Sequence, residues 1–452
     1  MALKIVLLGI MAFIITAADP DYGSNLFNME PKIKRGDVVE ISWLSPDAVR
    51  PFITDSKNRV SKTFKVTPYY FPTVYFWFLV YTQFESSQVV IHDKNNLKLI
   101  YKVLDFSSLH EKELSLFTLH IVQKKLSEEK LDDLRKTLDH LAMNPYSLEP
   151  RAKLLYRTIM QSGIQLPIPR AARSAYFTNL KKNIRTQTGQ KNFIRDGLVR
   201  SLAYQEFIAH YLKQKDLPKE IFSIPFLESS FNPVAESKVA ALGIWQFMPL
   251  IGSYYMPKKA NGIDYRSNVG VASVAAAFLL SENFKIMKKW DLAVTAYNSG
   301  TKHLLHSKRQ LASTDVDLED IIQSSDSERF GFASKNFYSE FLALAHTLAY
   351  REELFHDLHD HERSDVEEEL KFYLTKCSLR LDKSLDEKQL DDVAFHNNQL
   401  DSMKIGLSRG SIVTSKSALP SGKFMRLNMN EMVKLKPKSW AALLKNQSCS
   451  TR

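Results

Sequence analysis

The sequence predicts a mainly α-helical protein with a small β-containing region toward its N-terminus. Three observations carry this reading. From Glu111 onward apolar residues recur at spacings near 3.6, as in Leu131, Leu134, Leu138 and Leu141. Prolines at 145, 150, 167 and 169 fall between these periodic stretches, where they separate helices. Short apolar runs bounded by turn residues are confined to about 73–104. A chain of 452 residues, 44% hydrophobic and 25% charged, has a globular composition and suffices for two or three domains.

Taken in order, Lys4 precedes the apolar stretch Ile5 to Ile15, and Thr16-Ala17-Ala18-Asp19 follows it. This fits a secretory signal over 1–18, cleaved after Ala18, and the stretch is short for a membrane span. The expected location is therefore periplasmic or secreted, with membrane association through an uncleaved N-terminus as the variant. Residues 19–110 form the β-containing region. Val74 to Tyr81 and Gln88 to Ile91 read as strands, with His92 to Asn96 as the turn before Leu97 to Val103. Residues 111–212 read as helical, and Lys181-Lys182-Asn183-Ile184-Arg185 reads as part of an amphipathic helix. Asp216-Leu217-Pro218 introduces a further α-rich lobe, 213–352, with helices over 267–286 and 335–352.

The chemistry concentrates in that lobe. Residues 223–249 read SIPFLESSFNPVAESKVAALGIWQFMP, which places one carboxylate, Glu228, at the end of an apolar helix. A pocket built from Ile221, Phe222, Ile224, Pro225, Phe226 and Leu227 would desolvate Glu228 and raise its pKa, as a general acid near neutral pH requires. A helix-capping role for Glu228 is the structural alternative. Farther on come Asn261-Gly262-Ile263-Asp264-Tyr265-Arg266, a small-residue helix Val269 to Leu280, and Trp290 to Gly300, ending Ala296-Tyr297-Asn298-Ser299-Gly300.

This ordered set resembles the catalytic domain of the lytic transglycosylases, lysozyme-like enzymes that cleave bacterial peptidoglycan, and within them the membrane-bound lytic murein transglycosylase D group. The resemblance spans roughly Asp216 to Ala349 and implies a lysozyme-like α-rich catalytic fold. It places the catalytic acid on Glu228. The substrate-binding positions it implies are Ser229, Ser237, Gln246, Tyr297 and Asn298; Met248 and Tyr254 are further candidates for contact with the glycan. Ala240 stands where many members have Gly; a positive φ there would cost stability or bend the loop. The implied reaction cleaves between N-acetylmuramic acid and N-acetylglucosamine with one acid. Glu228 donates to the glycosidic oxygen, then takes the proton of the muramyl C6 hydroxyl, which attacks C1 to give a 1,6-anhydro product. No cofactor or metal is implied, and peptidoglycan glycan strands are the implied partner. Rival readings are a muramidase of the same fold and a non-catalytic wall-binding scaffold.

An ordinary glycosidase needs a second carboxylate, for which Glu236, Asp264 and Glu282 are the candidates. Glu236 reads as a solvated turn residue, and Asp264 as a partner of Arg266 or a cap of the following helix. Among the aromatics, Trp245 and Phe247 divide evenly between glycan contact and the core face of a helix. Tyr254 and Tyr255 are the better cleft candidates. Tyr297 could be a core aromatic with a satisfied hydroxyl, and Asn298-Ser299-Gly300 also suits a helix C-terminus.

Residues 353–452 change character. Phe372 to Leu374, a helix around Asp386 to Val393, and Leu419 to Leu427 are similar in order to a degenerate strand-helix-helix-strand LysM repeat, with an ordinary helical tail as the alternative. Cys377 and Cys449 sit in no metal or redox spacing; they form one disulfide or remain thiols. His356, His359 and His361 lie amid acids and read as a solvated linker rather than a metal site. The net charge of +11 is scattered, with no recognisable nucleic-acid module, and suits an anionic polymer such as peptidoglycan.

Overall fold

The computed structural model describes residues 38–450 except 113–114, 259–261, 312–314, 325–329, 357 and 359–368. The expected signal segment, His359 and His361 lie outside the described residues. The chain divides into two compact units.

The first unit, whose described residues run over 38–59 and 65–193, opens with β1 (Val39–Ile41) and α1 (Pro46–Ile53). Next come α2 (Phe71–Thr82), β2 (Gln88–Asp93) and β3 (Ile100–Asp105). The long α3 (Leu116–Met143), α4 (Pro150–Gln161) and α5 (Arg170–Asn183) follow, then β4 (Ile184–Thr188). The strands form one antiparallel sheet in the order β1-β3-β2-β4, with Val90 opposite Val103 and His92 opposite Arg185. The predicted leucine stripe is the buried face of α3. Leu131, Leu134, Leu138 and Leu141 pack with Ile91 and Leu104 of the sheet, Ile159 of α4 and Phe177 of α5.

Two local expectations are corrected here. Val74 to Tyr81 is helical, not a strand, because the run is apolar on every side rather than alternating. Val74 through Thr82 are all buried, and Pro72 sits in the first turn, where its fixed φ suits a helix. The aromatic and β-branched residues that favoured a strand yield to this all-round burial. The basic stretch also splits: α5 ends at Asn183, and Ile184 begins β4, which supplies the free edge of β2 with backbone partners.

The second unit takes in residues 60–64 and the chain from Ile194 onward. It contains most of α6 (Lys191–Ser201), then α7 (Gln205–Gln214) and the short α8 (Ile224–Ser229). After a loop come α9 (Pro249–Tyr255), α10 (Val269–Met287), α11 (Trp290–Ser299) and α12 (Thr301–Gln310). Further helices are α13 (Leu318–Ser324) and α14 (Phe332–Ala349). The expected α-rich lobe is thus present. Its axis is α10, whose apolar window is long enough to cross a membrane but is 67% buried inside the fold, with Ala272, Ala275, Ala276 and Ala277 fully enclosed. A helix that is apolar all round belongs in a core, and small residues let α11 and α7 approach it closely.

Residues 369–450 add a three-stranded antiparallel sheet, β6 (Ile412–Ser415), β5 (Lys371–Thr375) and β7 (Phe424–Arg426) in that order, with α15 (Glu387–His396) and α16 (Met429–Lys434). The expected strand-helix-helix-strand order is not the one found. One α-helix lies between β5 and β6, and a third strand follows. This segment packs into the helical lobe. A Cβ on Gly270 of α10 would sit 2.7 Å from the Phe372 ring, and Asn268, the N-cap of α10, places its amide nitrogen 3.0 Å from Gln399 Oε1 and 3.1 Å from Thr414 Oγ1. The Tyr211 hydroxyl of α7 donates to the Met432 carbonyl at 2.9 Å. Cys377 and Cys449 are joined by a disulfide.

Candidate active site

Glu228 stands in the last turn of α8, a helix of six residues that buries Ile224, Pro225, Phe226 and Ser229. The helix stops because Ser230 and Phe231 both turn left-handed, with φ of 50° and 58°. Their N–H groups fold back onto the Phe226 and Pro225 carbonyls at 2.9 and 3.0 Å, closing the helix as a glycine cap would. Neither residue is Gly, so the conformation carries strain that its surroundings must offset. Two features of α6 do so. The Arg200 guanidinium donates from Nη2 to the Ser230 carbonyl at 2.7 Å and from Nε to the Phe231 carbonyl at 3.2 Å. Gly197 lies so close that a Cβ there would meet the Ser230 oxygen at 2.5 Å. Burial lowers the pKa of Arg200, and the nearby Asp196 charge partly offsets this.

Glu228 is a partly buried residue, and the protein strips water from its carboxyl group. That burial pushes its pKa from 4.5 up to about 8. At neutral pH the group is mostly the neutral acid, able to donate a proton.

Opposite α8 lies the loop 235–248. Ser237 closes its first turn, the backbone N–H donating to the Ala241 carbonyl and the hydroxyl accepting from the Ala241 N–H, both at 2.9 Å. Ala240 has the positive φ, 63°, that the family's Gly would adopt without cost. Gly243 has φ of 79°, and a Cβ there would overlap the Arg266 carbonyl oxygen at 2.0 Å, so no side chain fits. Gln246 also has positive φ, 47°, and its amide nitrogen donates to the Ala235 and Gly243 carbonyls at 3.0 Å each. Arg266 holds the loop from beneath. It is bidentate on Asp264, the shortest contact 2.8 Å, while Nη1 donates to the Ala240 and Phe247 carbonyls at 2.6 and 2.8 Å.

Other expected residues divide between frame and cleft. Ser229 is buried; its hydroxyl lies 3.1 Å from both the Pro225 and Ile244 carbonyls and accepts from the Asn232 N–H, pinning α8 to the 235–248 loop rather than facing a glycan. Tyr297 donates its hydroxyl to the Trp245 carbonyl at 2.6 Å; burial, and then the proximity of Glu228, raise its pKa, so it stays a neutral neighbour of the acid. Asn298 is partly exposed and its Oδ1 accepts from Ser334 at 3.5 Å. Gly300, at φ 82°, ends α11, so the C-terminal reading of Asn298-Ser299-Gly300 holds as well. Met248 is the partly exposed N-cap of α9, and Tyr254 on that helix is 56% exposed.

Three aromatics are core residues. Trp245 and Phe247 are buried, on the loop rather than on a helix, and the Trp245 indole N–H donates to Ser273 at 2.9 Å. Tyr255 is 6% exposed, its hydroxyl donating to Glu282 Oε2 at 2.7 Å, so the cleft expectation fails for it: α9 turns only one of its two tyrosines outward.

Two of the other candidate carboxylates, Asp264 and Glu282, are paired with cations. Asp264 pairs with Arg266 and also caps the turn that follows, so both expected roles are met. Glu282 lies 2.6 Å from Lys436; although burial raises its pKa, Lys436 and Tyr255 hold it below the ordinary value. Glu236 is exposed. Among the described residues no group of three His, Cys, Asp or Glu is placed to hold a metal ion. Sequence reasoning missed Arg200 and Gly197, which share no local pattern with Glu228 and meet the turn that follows it, at Ser230 and Phe231, only through folding.

A family model described as the transglycosylase SLT domain matches residues 205–318, which contain Glu228, the loop and the Tyr297 signature. Membrane-bound lytic murein transglycosylase D of Escherichia coli (strain K12) is 38% identical over 112 residues, 24% of this chain and 25% of that protein. The same-named protein of Escherichia coli O6:H1 matches equally. A putative tributyltin chloride resistance protein of Alteromonas sp. (strain M-1) is 30% identical over 110 residues, 24% of this chain and 53% of that one. The chain thus spans about a quarter of the length of the murein transglycosylases it matches. Gly197 and Arg200 lie just outside the SLT match, and residues 369–450 lie wholly beyond it.

Proposed function

We propose that this chain is an exported peptidoglycan lytic transglycosylase. It cleaves the β-1,4 bond between N-acetylmuramic acid and N-acetylglucosamine and leaves 1,6-anhydro-N-acetylmuramic acid. The observation that carries this is a shielded carboxyl group, Glu228, whose pKa burial pushes up to about 8, while Asp264 and Glu282 are tied to cations and Glu236 lies exposed on its turn. A lone acid cannot serve as both proton donor and separate nucleophile. It can donate to the leaving oxygen and then, as the resulting carboxylate, accept the C6 hydroxyl proton as that oxygen closes on C1. The substrate's acetamido oxygen supplies the stabilisation that a second carboxylate gives elsewhere.

In this reading Ser229, Ser237 and Tyr297 hold the walls of the site in place, so the acid meets the bond without reorganising. Gln246 through Oε1, Asn298, Met248 and Tyr254 meet the glycan, Tyr254 offering its flat ring to the apolar face of a sugar.

Mass spectrometry of muropeptides released from purified sacculi tests the assignment. Anhydro-ended products from the unsubstituted protein, absent with Glu228→Gln, are expected. Products heavier by one water would instead identify a muramidase, and no products from folded, sacculus-binding protein would identify a scaffold.

A further inference from the structure

Exposed large apolar side chains are unevenly distributed. Of sixteen among the described residues, six fall between 143 and 168: Met143, Tyr146, Leu148, Leu154, Met160 and Ile168, at 48–84% exposure. Isolated exposed apolar residues are ordinary, but a concentration of them on one surface marks an interaction site.

Met143, Tyr146 and Ile168 are drawn together because the two loops that carry them are joined by hydrogen bonds. The Tyr146 hydroxyl donates to the Ile168 carbonyl, Arg170 donates to the Met143 carbonyl at 3.4 Å, and the Tyr156 hydroxyl donates to the Pro145 carbonyl at 2.8 Å. Between the two loops, α4 buries Ala152, Leu155 and Ile159 and turns Lys153, Leu154, Arg157 and Met160 to solvent. The outward face of this helix therefore interleaves apolar and cationic side chains.

The charge is one-sided. From Met143 to Arg173 the sequence has five Arg or Lys and one carboxylate, Glu149, which lies 3.5 Å from His140. Arg173 stacks over the Tyr146 and Tyr156 rings, 4.6 and 5.2 Å from their centroids, which keeps the aromatic edge and the cation together.

We infer that this face docks on an anionic lipid surface. Leu, Met and Ile side chains enter the boundary between headgroups and acyl chains, while Arg151, Lys153, Arg157 and Arg170 meet lipid phosphates and Tyr146 sits at the headgroup level. The excess of five cations over one carboxylate is what favours lipid phosphates as the occupant. The inference is independent of the proposed reaction and of the apolar stretch at the N-terminus.

The test places the reporter in the face itself, because an N-terminal tether alone could bring the chain to a membrane. Both native cysteines are paired, so Leu154→Cys in the full-length protein accepts an environment-sensitive dye at one position. On phosphatidylglycerol-containing vesicles the emission shifts to the blue and brightens several-fold; on phosphatidylcholine vesicles it does not. Lys153→Glu with Arg157→Glu lowers apparent vesicle affinity about twentyfold or more, taking about fivefold per charge. A dye that stays water-like on anionic vesicles while the protein remains folded overturns the inference. So does a blue shift that appears without vesicles and rises with protein concentration, which would make the occupant a second copy of this chain. Met160→Cys supplies a second probe position should the first labelled protein fail to fold.

Discussion

Glu228 is a better acid to hold protonated in the folded chain than in the unfolded one, and that asymmetry has a measurable sign. Its folded pKa of about 8 exceeds its ordinary 4.5. The contribution of this group to stability is therefore fully present below about pH 4.5 and is lost as pH rises through about 8. With a discount for its remaining exposure, the loss is about 2–4 kcal/mol. Glu228→Gln, which cannot ionise, should match the unsubstituted protein in thermal midpoint at pH 4 and exceed it by several degrees at pH 8.5. An equal offset at both pH values would show that the carboxyl group is solvated after all. The same titration should set the alkaline limb of the pH–rate profile near 8. Arg200 invites a different measurement. If it positions the acid, Arg200→Met should lower kcat by about ten- to a hundredfold with little change in KM, since displacement by about 1 Å costs that much. The alkaline limb should move down as the carboxyl group gains water, with Arg200→Lys intermediate. Unchanged kcat and limb would leave Arg200 a packing residue only. The burial of Glu228 was foreseeable from the apolar run Ile224 to Leu227 that precedes it. Arg200 was not, because its carbonyl partners lie 30 and 31 positions away.

At the scale of elements, the same distinction between local and distant causes separates the readings that held from those that did not. The α3 stripe repeats every three or four residues and buries on one side, so periodicity alone located it. In α2 the enclosing surfaces come from elsewhere, leaving an aromatic, β-branched run with no alternation to reveal its state. Strand β4 exists because β2 presents an edge to it, a requirement of the sheet and not of the segment Ile184–Thr188. In the loop 235–248 the sequence marked Ala240, which does adopt positive φ, while the close approach that bars a side chain at Gly243 emerges only from the fold. What could not be read was the means of holding it. Arg266 reaches Ala240 and Phe247, 26 and 19 residues back, while its pairing with Asp264, two residues away, was readable.

At the scale of the whole molecule, a segment that the sequence sets apart after residue 352 lies within the compact unit that contains the SLT domain. The apolar residues of Lys371–Thr375 would look the same whether they closed a private core or packed on a neighbour. Here Phe372 meets Gly270 and Phe207, and Asn268 and Tyr265 bond to the 396–414 region. The disulfide between Cys377 and Cys449 spans 72 residues of this segment. Closing a loop of that length restricts the unfolded chain by about 4 kcal/mol in the chain-entropy account, of which about 2–4 kcal/mol is usually realised. Because the segment shares its core with the SLT domain, that loss should be felt by the whole unit. Calorimetry of Cys377→Ser with Cys449→Ser should show the transition that includes the SLT domain moving down by several degrees as one peak. A new low-temperature peak, with the main transition unmoved, would mean that residues 369–450 fold and unfold on their own.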